Sequence, residues 1–218
     1  MAEKFIRNHE FNFIRKQVDV IKDSYKKGSD KNVINAVKDS AYSKIIDLFP
    51  NAADNQLDVL DLSRLKTEAE FDHYLENASS FLLLFPNITD QQIKKMFPKN
   101  KKLKMPNLDS IDLESITYLS WTDIGTNKKF LIYEMNKKLV GIECRYNLLS
   151  RNNVCSFCNT HGQVAFISSV TKAKKINNPD YYKAIGNYIC FDSSICNQKM
   201  TSVNYLETFI KEIFQENG

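Results

Sequence analysis

"NNVCSFCNTHG" (residues 152–162) and "ICFDSSIC" (residues 189–196) decide how this chain is read. Cys155 and Cys158 have two residues between them, and His161 follows three positions later. After 31 further residues, Cys190 and Cys196 form a second pair with five residues between them. A close cysteine pair is a redox couple, half of a metal site, or two unrelated thiols. The redox reading needs a thioredoxin-like βαβ pattern, and the chain shows none. The N-terminus, "MAEKFIRNHEFNFIRK", lacks an apolar core and a small-residue cleavage site, so no signal peptide is expected. The longest apolar run is about "FLLLF", residues 81–85, far short of the ~20 residues of a membrane span. A cytoplasmic chain is therefore expected. Its thiols stay reduced, which favours metal over disulfides.

Zinc takes four N or S ligands in a tetrahedron, and two thiolates spaced two apart can turn toward one point ~2.3 Å away. The first pair falls in a turn before a strand. Cys190 falls at the end of a strand and Cys196 in the first turn of the helix after it, where free N–H groups favour negative charge. A knuckle joined through a hairpin to ligands at a helix start is the treble-clef arrangement. Cys155, Cys158, Cys190 and Cys196 are the expected ligands of one structural zinc, with His161 as the alternative to one cysteine. Four cysteines leave no open position for water, and no His-x-Glu partner to a Pro-Cys-x-x-Cys is present, so a structural ion is expected over a catalytic one. Cys144 lies in an alternating strand and reads as a small core residue.

Working outward, the period of the apolar residues changes once. Residues 10–27 carry Phe11, Ile14, Val18 and Ile21 at helical spacing and stop near Gly28. Ser29 or Asp30 caps a second helix that ends before Pro50, and "NQLDVLDLS" is a short third. Thr67 with Glu70 is a capping box opening a helix to about Leu84. Residues 1–85 thus read as a helical bundle. After Pro86, Thr89 caps "TDQQIKKMF". Then "SITYLSW", "KKFLIYEM" and "KLVGIECRY" read as an antiparallel meander separated by "DIGTN" and "NK". "QVAFISSV" and "NYICF" add two strands, Asp192 or Ser193 caps a short helix, and residues 202–215 form the amphipathic last helix. The fold class is α+β: a helical bundle at 1–85, then an α/β zinc-finger domain at 86–218.

The chain of 218 residues, 43% of them hydrophobic, is long enough for such cores. Its net charge of +4 is uneven: residues 1–82 hold 12 basic and 14 acidic side chains, the remainder 18 and 12. The positive part suggests an acidic protein or a nucleic-acid backbone as partner. Lys94, Lys95, Lys99, Lys101, Lys102 and Lys104 cluster within eleven residues. Only Phe97 interleaves with them, where RNA readers supply stacking aromatics, so protein is favoured. Tyr181, Tyr182 and Tyr188 are either core or an exposed anchor patch, and Phe209 is a candidate anchor beside the finger. His9 and His73 read as surface or helix-face residues. Phosphate-cradling glycine loops and His-Glu-x-x-His are absent, and nothing in the sequence supports an enzyme.

"GNYICFDSSICNQKM" (186–200), "QIKKMFPKNKKLKMP" (92–106) and "YLSWTDIGTNKKFLIYE" (118–134) resemble the FusB-type fusidic-acid-resistance proteins, or elongation factor G-binding proteins. The resemblance spans the chain. It implies a non-enzymatic monomer that binds elongation factor G through the zinc-finger domain, with the ribosome as a further partner and no membrane or small-molecule substrate. Fusidic acid traps the factor on the ribosome, and proteins of this family promote its release. The resemblance implies Cys155, Cys158, Cys190 and Cys196 as zinc ligands and places Tyr188 and Phe209 on the partner surface. Val154 stands where an aromatic often precedes the first cysteine, and Ile185 where a lysine often precedes the glycine. An RNA- or ribosome-binding zinc protein with a housekeeping role in translation is the alternative.

Overall fold

The computed structural model describes residues 3–171 and 183–214. The chain divides into two compact units, Met1–Leu83 and Leu84–Gly218.

The first unit contains α1 (Asn8–Lys26), α2 (Lys31–Ile46), α3 (Asp54–Leu60) and α4 (Glu68–Ser79). Their ends follow from local chemistry. The Glu10 carboxylate accepts from Arg7 N–H at the start of α1. Gly28 takes φ +63, a conformation glycine adopts without strain, and turns the chain after α1. Asp30 caps α2 by accepting from Asn32 N–H. Thr67 and Glu70 form the expected capping box. α4 stops at Ser79 rather than near Leu84, because Leu82 leaves the helix to bridge Ile6. The core holds Ile6, Ile14, Val18, Ile21, Ala41, Ile45, Leu60, Leu62 and Phe71. His9, expected on a helix face, is buried, and that burial with the nearby Arg7 charge lowers its pKa to about 4. His73 is exposed beside Glu76.

The second unit begins with α5 (Asp90–Met96), followed by β1 (Leu119–Asp123), β2 (Lys128–Met135) and β3 (Lys138–Leu148). A short ribbon, β4 (Asn153–Val154) and β5 (His161–Gly162), precedes β6 (Val164–Val170) and β7 (Ala184–Cys190). The chain continues into α6 (Ser193–Lys199) and α7 (Asn204–Phe214). The main sheet runs β1-β2-β3-β6-β7, antiparallel throughout. Asn136 and Lys137 both take positive φ in the two-residue β2–β3 turn, the conformation that matches strand twist.

Strand alternation sorts side chains onto two faces. Phe130 and Ile132 pack with Ile93 and Phe97 on one face. Leu131, Tyr133, Ile142, Cys144, Ala165, Ile167 and Ile189 pack with Leu206, Phe209, Ile210 and Ile213 of α7 on the other. Cys144 is fully buried, and burial pushes its thiol up to about 12, as suits a core residue. β1 starts later than the period suggests, since the backbone of Thr117 and Tyr118 is engaged by the Asn197 side chain instead. Among the described residues, no helix is long and apolar enough to cross a membrane.

Candidate metal centre

Two separate pieces of chain carry the four cysteines. The knuckle closes as a tight turn: Cys155 N–H donates to Thr160 O, and Asn159 N–H donates back to Cys155 O. Asn159 has φ 53, which asparagine tolerates better than most residues. The β4–β5 ribbon clips the base of this turn. The second piece is the end of β7 and the start of α6, where Asp192 caps the helix through Ser194 N–H. Ser156 N–H donates to Tyr188 O at 2.7 Å, locking the knuckle onto β7.

These elements bring the Cys155, Cys158, Cys190 and Cys196 sulfurs within 4.8 Å of one another, all buried. Cys155 Sγ lies 3.8 Å from Cys196 Sγ, and Cys158 Sγ 3.7 Å from Cys190 Sγ. A tetrahedron with ~2.3 Å metal–sulfur bonds separates its sulfurs by about 3.8 Å. The donor set therefore fits one tetrahedral divalent ion. His161 is exposed on β5 and is not a member of the group.

The electrostatics agree. Hydrogen bonding first from Cys155, then from Cys190 and Cys196, holds Cys158 well below the usual thiol range. Cys155 first, then Cys158, pushes Cys196 up, and the same pair pushes up Cys190. Four sulfurs this close cannot all be thiolates without a cation among them. Cys190 N–H donates to Cys155 Sγ at 3.2 Å, and the Thr160 hydroxyl lies 3.0 Å from Cys158 Sγ. Both are hydrogen-bond donors suited to charged sulfur.

The ligand helix is tied to the opposite edge of the sheet. Asn197 Oδ1 accepts from Thr117 and Tyr118 N–H at 2.8 and 3.2 Å, and its Nδ2 donates to Tyr118 O at 2.9 Å. Ser193 Oγ donates to Ser120 O at 3.1 Å. Lys129, 1% exposed, donates to Phe191 O at 2.8 Å, one residue after Cys190. Burial lowers its pKa to about 8, against the opposing pull of Cys196 and Asp192. Sequence reading missed Lys129 and Asn197. Lys129 had a signal, since it falls in strand phase with the inward Leu131 and Tyr133. Asn197 had none.

Around this centre, Tyr188 is 41% exposed, its ring 5.3 Å from that of Phe166. Phe209, expected as an exposed anchor, is instead 1% exposed and packs edge-on to Phe157 at 5.8 Å. The reason is helical phase: Phe209 shares the inward stripe of α7 with Leu206, Ile210 and Ile213. Lys94, Lys95, Lys99, Lys101, Lys102 and Lys104 are all exposed, while Ile93 and Phe97 point inward. Tyr181 and Tyr182 lie outside the described residues.

Comparison with known proteins accounts for this combination. Residues 5–86 match the family described as "Elongation factor G-binding protein, N-terminal", and residues 94–209 match "FBP C-terminal treble-clef zinc-finger". The chain belongs to the FusB-type family of elongation factor G-binding proteins. Among solved structures, "Structure of the fusidic acid resistance protein FusC" is similar with a TM-score of 0.78 and 28% identity, covering 98% of this chain and 100% of that one. No curated protein matches the sequence. In this FusB-type chain the treble clef is the knuckle, the β6–β7 hairpin and α6, with two sulfurs supplied from each end.

Proposed function

We propose that the chain holds one structural zinc ion on Cys155, Cys158, Cys190 and Cys196, and that its second unit binds elongation factor G. By doing so it promotes release of the factor from the ribosome and protects translation from fusidic acid, as a cytoplasmic monomer without a chemical step. The observation that carries this reading is the family match of both units, joined to a fold likeness to a fusidic acid resistance protein over nearly the whole of both chains.

Tyr188 supplies the aromatic contact, half-exposed on a strand that the knuckle pins through Ser156. A short loop fixed by metal loses little freedom on binding, which lowers the cost of association. Phe209 supports that surface from inside, through Phe157. Lys99, Lys101 and Lys102 raise the rate of encounter with an acidic surface. Release needs no chemistry: binding shifts an equilibrium by the difference in affinity for two states of the partner. A chain that prefers the conformation of the factor that grips the ribosome poorly will speed its departure.

The test is a ribosome–elongation factor G complex stalled with fusidic acid, with factor release followed by sedimentation. The chain is expected to accelerate release, and charge reversal at Lys99, Lys101 and Lys102 to slow association. Unchanged release refutes the proposal. Binding to ribosomal RNA without the factor, with affinity falling steeply in salt, would replace it with the RNA-binding housekeeping role.

A further inference from the structure

Among the described residues Tyr118 has the largest fully buried side chain, and its hydroxyl closes no hydrogen bond. Buried polar groups without a partner are few in native structures and call for a cause. The ring has no freedom to seek one elsewhere. Asn197 holds the Tyr118 N–H and C=O at 3.2 and 2.9 Å. Phe157, between the two knuckle cysteines, meets the ring edge-on at 5.9 Å. Burial pushes the hydroxyl pKa well above its ordinary value, and the charge of Cys196, then those of Cys155 and Cys190, push it the same way. Tyr118 thus lies in one buried cluster with Phe157 and the four cysteines, and an O–H rotor turns freely to suit an acceptor.

We propose that Tyr118 is the outer-shell hydrogen-bond donor to Cys196 Sγ in the metal-loaded site. This rests on the reading of the four cysteines as a metal centre. A thiol sulfur is a weak acceptor, whereas a metal-bound thiolate carries charge and accepts strongly. A divalent ion on four thiolates leaves a net charge of two in a buried pocket, and outer-shell donors orient the ligands and moderate that charge. Cys155 receives the Cys190 N–H, and Cys158 has the Thr160 hydroxyl beside it. Cys196 is fully buried, and Tyr118 fills the same role for it. The Lys129 ammonium, buried nearby and hydrogen-bonded to Phe191 O, adds positive charge on the same side. Tyr118 is a positioning residue: its backbone braces the ligand helix through Asn197, and its hydroxyl tunes one ligand of that helix.

The experiment compares the full chain with Tyr118→Phe, each loaded with cobalt(II), with metal content measured on the same samples. The expected result is one ion in both proteins. In Tyr118→Phe the sulfur-to-cobalt charge-transfer band moves to lower energy, and cobalt passes to excess EDTA about 10-fold faster. A purely structural role for the ring would leave the band energy in place. Coincident bands and equal transfer rates overturn the proposal with the metal reading intact, while a wild-type chain that takes up no metal overturns both. Should Tyr118→Phe fail to fold, the wild-type chain loaded with cadmium-113 decides the matter. A proton–cadmium correlation from the Tyr118 hydroxyl is expected, and its absence at full loading refutes the hydrogen bond.

Discussion

Replacing Asn197 by alanine tests whether the ligand helix depends on its brace. Asn197 is 2% exposed and satisfies three backbone groups, Thr117 N–H, Tyr118 N–H and Tyr118 C=O. Each such bond contributes roughly 1 kcal/mol net, and a buried group left without a partner costs about 1–3 kcal/mol. Three bonds lost together give an expected destabilisation of about 3–5 kcal/mol, less whatever an entering water restores. The chain has one tryptophan, Trp121, stacked on Phe130 at 5.1 Å in the second unit. Urea unfolding followed by tryptophan fluorescence therefore reports on that unit alone. The midpoint should fall sharply with an unchanged slope, and Asn197→Asp, which keeps the acceptor and loses the donor, should lie between. A loss below about 1 kcal/mol for Asn197→Ala would refute the brace.

Gly141→Ala should cost about 1–3 kcal/mol in the same fluorescence assay, because a Cβ there would lie 2.8 Å from Phe97 Cζ and 3.0 Å from Met96 Cβ. The first unit should weaken on acidification. His9 titrates near pH 4 in the folded chain, against an ordinary value of 6.5. Between those values the unfolded chain takes up a proton that the folded chain refuses. Stability from His9 is therefore full above pH 6.5 and falls by up to about 3 kcal/mol as pH drops to 4. Glu10, whose pKa burial raises, works partly against this. His9→Gln should flatten the pH dependence of helix loss measured by far-ultraviolet circular dichroism. Removing the ion with a chelator should abolish the tryptophan-reported transition, since metal binding contributes to folding of a site that exists only when folded. An unaltered transition in metal-free protein would count against a structural ion.

The parts legible in sequence were those set by local rules. The capping box at Thr67, the cap at Thr89, the Asn136–Lys137 turn and the alternation of β2 each depend on a few adjacent residues. The four cysteines were legible because metal spacing is itself local, two within a knuckle and two across a strand-to-helix junction. What failed depended on phase or on distant partners. Phe209 looked like an anchor by composition, yet one helical stripe turns it inward. His9 looked like a surface residue, since burial of a helix face depends on what packs there. Tyr118 and Asn197 meet across 79 residues of chain, and no spacing rule reaches that far.

The most direct test of the account is titration calorimetry of the full chain against elongation factor G, at low and high salt, with zinc measured on the same sample. The account predicts about one zinc per chain and a one-to-one complex. It also predicts that Tyr188→Ala weakens that complex and leaves the zinc in place. No heat of binding at either salt from a protein that carries its zinc would contradict it.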